Sequence, residues 1–331
     1  MRHVLLPPTP EAVSPSIGEV ITLQGATMGT GWSLRYVSPT ALSRGTLQAE
    51  VQTRLDALVG EMSTWDARSS LCHYNVAVAG SWCALPTDFF TVLSAALALA
   101  AETEGAYDPT AGPLVNLWGF GPQGPIATPP SPAALATARA QVGWQRIQLE
   151  PATQRALQPG GVLLDLSSIA KGFAVDAVST ALTALGLEHH LVEIGGELRG
   201  MGLKPDGQPW WVQLEVPSAP GLPLPEMVVA LHGLAIATSG DYRQGFTHQG
   251  QLYSHTLDPR SGHPVQHDLA AVTVLHAQAM QADALATALM VLGLPAGLAW
   301  ADQHGIAARF VQRIPGGLQQ HWSSALKGLM A

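Results

Sequence analysis

What most restricts the fold of this chain is the irregular order in which its apolar periodicities change. Leu47, Val51, Leu55, Leu58 and Met62 recur at helical spacing over 46–62, and a second helix is expected from Thr87, as N-cap, to Gly105. Two strands around a glycine-rich turn at 25–31 come first. Further strands are expected near 146–149, 162–166, 190–194, 210–216, 228–238, 252–257, 270–276 and 307–313. Helices are expected at 167–186, capped by Ser167 or Ser168 and closed by Gly186, at 281–293 and at 295–304. The two kinds of element interleave without a steady strand–helix–strand beat and without an internal repeat. That order predicts an α+β fold, with mixed or antiparallel sheets flanked by helices, and not a doubly wound parallel sheet. Residues 1–18 read as a flexible leader, and 19–331 as one domain or two closely packed subdomains.

Composition narrows the function. Hydrophobic residues make up 47% of the chain and charged residues 12%, which excludes a mainly disordered protein. The net charge is −8 and no Lys/Arg cluster occurs, so no nucleic-acid partner is expected. No transmembrane segment is expected either: the Ala-rich run 94–101 is too short and ends at Glu102 and Glu104. The opening residues show neither a secretory signal nor an early cysteine that could carry a lipid. Cys72 and Cys83 do not fit a zinc site; they could form one disulfide, but read first as free thiols of a cytoplasmic protein. The alternative compartment is the periplasm, since a chain trimmed at its start would lack a signal too.

Four stretches carry groups capable of chemistry. "QADALATALMVLG" (281–293) is an apolar helix holding Asp283, with Thr287 one turn later on the same face. Either Asp283 is exposed near the helix start and favours the dipole, or it is buried. A buried, unpaired carboxylate costs several kcal/mol, roughly, and a cation would remove that penalty. Carboxylate, hydroxyl and carbonyl oxygens suit Mg²⁺. "LLDLSSIAKGFAVD" (163–176) runs from a strand ending at Asp165 into a helix start, whose N–H groups can hold a phosphate. Lys171 in its first turn opposes the helix dipole unless an anion lies near; otherwise this is an ordinary capped helix with Lys171 in solvent. In 237–264, His255 is flanked by strand-like residues and is either a proton carrier or a core histidine bonded to backbone. In 105–122, Tyr107, Trp118 and Phe120 stand among glycines and prolines, to wall a flat ring ligand or to close over a core. Neither G-x-G-x-x-G after a strand nor G-x-x-x-x-G-K-[ST] is present.

The order of these stretches is more specific than any one of them. "MGT", "MSTWDARSSLCHYN", "YDPTAGPLVNLWGFG", "LDLSSIAKGFAVD", "EIGGELRGMG", "TSGDYR", "YSHTLDPRSGHPV" and "ADALATALMVLG" closely resemble, over about residues 20 to 295, the ApbE family of FAD:protein FMN transferases. The resemblance implies an FAD cleft, a Mg²⁺ ion and transfer of FMN from FAD onto a Thr hydroxyl of an acceptor flavoprotein, with release of AMP. Some members hydrolyse FAD to FMN and AMP instead, and a protein that merely holds FAD is the non-enzymatic alternative. FAD contacts then match Met28, Trp65, Ala106, Tyr107, Asp108, Asp165, Lys171 and Leu257. Metal ligands match Ser168, Asp283 and Thr287, and His255 matches the residue placed in catalysis, to take the proton of the incoming hydroxyl. The sequence departs from the family at the usual Asn-Leu-Gly-Gly-Asp block, here Glu193-Ile194-Gly195-Gly196-Glu197. Trp65 stands where Tyr is common, and "AKG" replaces "GKG".

Overall fold

A computed structural model describes residues 2–6, 17–38, 43–217, 224–242 and 244–330. Its centre is one eight-stranded sheet. The strands are β1 (Val20–Thr27), β2 (Thr30–Val37), β3 (His190–Ile194), β4 (Glu197–Met201), β5 (Leu234–Gly240), β6 (Leu269–His276), β7 (Ala307–Ile314) and β8 (Gly317–Trp322). Their order in space is their order in sequence, and every neighbouring pair is antiparallel. The sheet is therefore a meander, and other elements are hung between its strands. The α+β expectation holds, and this topology explains the uneven rhythm of the sequence.

Side chains alternate across the sheet with period two. Ala235 and Ala237 of β5 join the main core, whereas Ile236 between them joins a second one. The main core lies under four helices: α1 (Arg44–Met62), α2 (Thr87–Glu102), α3 (Ala170–Ala184) and α4 (Ala279–Leu292). The second core packs a small sheet, in which Arg2–Leu5 pairs in parallel with Glu226–Leu231 and the latter antiparallel with Trp210–Gln213. The start of the expected leader is thus a strand, held by Leu5, which is fully buried; residues 7–16 of that leader lie outside the described residues.

Local departures from the sequence expectations have simple causes. The stretch 228–238, expected as one strand, is broken at His232–Gly233, with Gly233 at φ +72°, and so forms two strands in two different sheets. The stretch 162–166 forms only a bridge between Leu163 and Ala111. α3 begins at Ala170, because Ser167 and Ser168 direct their hydroxyls to Asp165 and Tyr107 and not to the helix start. Gly186, at φ +78°, follows its end as expected.

α3 and α4 approach very closely. A Cβ on Gly172 would lie 2.2 Å from the carbonyl oxygen of Ala279, so only glycine fits there. Across this contact each helix caps the other. Gly172 of α3 donates its N–H to Asp283 Oδ2 of α4 at 3.0 Å. Ala279 and Met280, at the start of α4, donate theirs to Asp176 Oδ1 and Oδ2 of α3 at 3.0 and 2.9 Å. These are N–H groups that a helix cannot satisfy internally, and a carboxylate there also meets the positive end of the dipole.

Candidate active site

The segments between the strands converge on a cleft of about 480 Å³ at one end of α3 and α4. The twelve residues that the family resemblance implies for the site all line it: Met28, Trp65, Ala106, Tyr107, Asp108, Asp165, Ser168, Lys171, His255, Leu257, Asp283 and Thr287. The β1–β2 turn brings Met28, held at φ +49°, a conformation a side chain adopts rarely and one that makes a two-residue turn with Gly29 at φ +71°. The long β2–β3 insertion brings Trp65, Ala106–Asp108 and Asp165–Lys171; the β5–β6 insertion brings His255 and Leu257; α4 brings the rest.

Asp283 is only 4% exposed, so the exposed alternative for it does not hold. It lies in the body of α4 and caps α3, not its own helix. Thr287, one turn on, shares a hydrogen bond with Ser239 on β5, Oγ1 to Oγ at 2.9 Å. Ser168 donates from Oγ to the Tyr107 hydroxyl at 3.1 Å. Burial pushes the Tyr107 phenol well up, the Ser168 bond opposes this, and the charges of Asp283, Asp165 and Asp108 add to the rise, so it stays protonated. The anion that Lys171 needed is Glu197: Lys171 Nζ lies 2.7 Å from Glu197 Oε1.

Glu197 is the site residue that sequence reasoning missed. An acid opening a strand, in "ELRGM", reads as solvent-facing; the fold instead returns β4 beside α3 and leaves Glu197 2% exposed. Burial raises its carboxyl above the usual range, the Asp283 charge adds to this, and Lys171 opposes both.

Two further acids tie the floor of the cleft together. Asp108 Oδ1 accepts from the Thr110 N–H at 2.8 Å and hydroxyl at 2.6 Å, and Oδ2 from the Trp144 N–H at 3.3 Å. Burial raises its carboxyl, against these hydrogen bonds. Asp165 Oδ1 accepts from the Ser167 N–H at 2.9 Å and from its hydroxyl, while the Asp165 N–H donates to Pro109 O at 2.8 Å, joining the two loops. Ala106 and Leu257 are buried wall residues, and Trp65, 68% exposed, forms the rim.

His255 is half-buried, edge-on to Phe120 with ring centres 6.3 Å apart. Its Nδ1 lies 3.1 Å from the carbonyl oxygen of Gln244. A carbonyl only accepts, so the neutral ring carries its proton on Nδ1 and presents Nε2 as the basic atom. Of the three expected aromatics, Tyr107 and Phe120 reach the cleft. Trp118 does not: it is buried against Tyr253 and Phe246 and donates Nε1–H to Gly262 O at 2.8 Å.

Among the described residues no cluster of three His, Cys, Asp or Glu side chains is set to hold a metal. The donors expected to hold a metal are instead all oxygen: the Asp283 carboxylate, the Ser168 and Thr287 hydroxyls and, in the same cleft, the Glu197 carboxylate, whose buried Oε2 has no hydrogen-bond partner. Hard oxygens, with two buried carboxylates set against one ammonium, fit Mg²⁺ and not zinc.

The sequence matches the ApbE family over residues 28–310. A protein of Haemophilus influenzae named FAD:protein FMN transferase is 39% identical over 318 residues, which span 94% of this chain and 92% of that one. The fold superposes on the crystal structure of the Pseudomonas stutzeri flavinyl transferase ApbE, apo form, with a TM-score of 0.87 at 41% identity, covering 94% of this chain and 96% of that one. For the flavin transferase ApbE of Vibrio cholerae the TM-score is 0.86 at 36% identity, covering 95% and 100%.

Proposed function

The chain belongs to the ApbE family, and from that premise we propose that it transfers FMN from FAD to a Thr hydroxyl of an acceptor protein and releases AMP. The observation that carries this reading is the convergence of all twelve residues, drawn from segments far apart in sequence, on one cleft. A cleft of this size suits an elongated organic ligand.

FAD lies with its diphosphate near Lys171 and the start of α3, where the ammonium and the helix N–H groups favour an anion. Ser168, Asp283 and Thr287 would hold Mg²⁺, which would supply positive charge to polarise the diphosphate and ease the departure of AMP. His255 takes the Thr proton at Nε2, while Gln244 fixes the ring through Nδ1. The Thr oxygen bonds to the phosphorus of the FMN half as the bond from that phosphorus to the bridging oxygen breaks, and the bridging oxygen leaves with AMP. Positioning and charge do the rest, since phosphoryl chemistry asks little covalent work of the protein.

The test is incubation with FAD, Mg²⁺ and a Thr-bearing acceptor. The expected result is AMP together with an acceptor heavier by one FMN in mass spectrometry. AMP without a modified acceptor would make the chain an FAD pyrophosphatase, and neither product would remove the enzymatic reading.

A further inference from the structure

Lys171 belongs to the expected site set but its partner Glu197 does not, and it is at Glu197 that the sequence departs from the usual block, which ends in Asp. Lys171 is 28% exposed by its side chain and lines the cleft, whereas Glu197 is enclosed. The turn before Glu197 is built on two glycines in conformations that side chains rarely adopt. Gly195 stands at φ +63° and Gly196 at φ +104°. A Cβ on Gly195 would lie 3.0 Å from Thr30 Cγ2, and 3.4 Å from Glu197 Oε2 and 3.5 Å from Lys171 Cδ, so this turn packs directly against both members of the pair. Lys171 neighbours Gly172, whose N–H is held by Asp283, and its ammonium sits on a flexible four-carbon stem that needs an anchor to hold one position.

We propose that Glu197 is a positioning residue: it anchors the Lys171 ammonium toward the diphosphate-binding part of the cleft. This rests on the proposed FAD site. It makes a prediction opposite in sign to simple charge arithmetic. Removing a carboxylate beside a bound anion should tighten binding, whereas removing the anchor of the binding cation should weaken it.

The experiment is a double-mutant cycle on FAD affinity, read from quenching of flavin fluorescence at saturating Mg²⁺ without acceptor. Glu197→Gln should weaken FAD binding about tenfold, the loss of one charge-assisted contact. In the Lys171→Met background the same change should leave affinity unchanged or improve it, because no ammonium remains to be aimed. Gln is isosteric with Glu, and the double variant leaves neither charge unpaired, so the comparison of Lys171→Met with the double variant stands even where the single Glu197→Gln protein is unstable. Tighter or unchanged FAD binding by Glu197→Gln overturns the proposal, as does a loss of equal size in both backgrounds or any weakening in the Lys171→Met background. Failure of the unaltered chain to bind FAD overturns the FAD site itself, a separate result.

Discussion

Asp176 and Asp283 make the same kind of contact at the two sides of one helix pair, yet their surroundings differ. Asp176 gives both oxygens to the start of α4 and is paired with Arg199 NH1 at 2.5 Å. Asp283 gives Oδ2 to α3 and lines the cleft beside Thr287 and Glu197. Capping a helix is in both cases structural. Only at Asp283 does the capped end face a cavity, so there the same carboxylate is held in a fixed place and within reach of a ligand. The difference teaches that a buried acid in an apolar helix needs two questions: which N–H it caps, and what else that end of the helix sees.

The comparison breaks first on activity. Asp283→Asn keeps an oxygen for the Gly172 N–H, and the transfer rate is expected to fall by more than about a hundredfold, beyond the range for outer-shell groups. Denaturation should change little. An equal loss of activity in Asp176→Asn, with the fold intact, would erase the distinction. His255→Ala should lower transfer by about 10²- to 10⁴-fold, as for a lost general base, while FAD fluorescence quenching persists. Loss of that quenching would move His255 from proton transfer to binding.

The structural side of the comparison is read in stability. Asp176→Ala removes an acceptor for two helix N–H groups and leaves Arg199 without its partner. It should cost about 3–4 kcal/mol in urea denaturation. A cost under about 1 kcal/mol would show that α4 does not depend on this cap.

The smallest effect lies on the flank of α3 away from the cleft. His190 is fully buried on β3, with Nδ1 at 2.7 Å from Leu187 O and Nε2 at 2.8 Å from the Ser179 hydroxyl of α3. The carbonyl fixes the proton on Nδ1, so Ser179 donates to Nε2. Burial lowers the pKa to about 4 from the ordinary 6.5, and the Leu187 carbonyl only partly offsets that. The unfolded chain therefore binds the proton first as pH falls. Stability is full above about pH 6.5 and is lost down to about pH 4, by about 2–3 kcal/mol. His190→Gln should flatten this slope in urea titrations between those pH values; an unchanged slope would place the sensitivity elsewhere.

Much of the site was legible in the sequence because its residues sit in short blocks with unusual content. A carboxylate in "QADALATALMVLG" and a lysine opposing a helix dipole both demanded a partner, and both have one. What stayed hidden depends on contacts remote in sequence. Glu197 looks like any strand-opening acid until β4 is laid beside α3. The mutual capping could not be seen either, since Asp176 and Ala279 are 103 residues apart. β3 was readable to the residue, as a strand-like run closed by glycines, whereas the break at 232–233 was passed over although His232-Gly233 marks it, because apolar residues resume at once on its far side. The single large meander was beyond reach for a related reason: pairing β2 with β3 spans an insertion of about 150 residues, and strand periodicity says nothing of partners.

That meander orders the making of the protein in time. A ribosome delivers β1 to β5 with all the loops around the future cleft before it delivers α4, and synthesis proceeds at about 5–20 residues per second. Until α4 emerges, α3 has no Asp283 at its N-terminal turn and the oxygen cluster is incomplete. Between the emergence of Leu257 and that of α4 a nascent chain thus carries the pocket walls without the reactive centre.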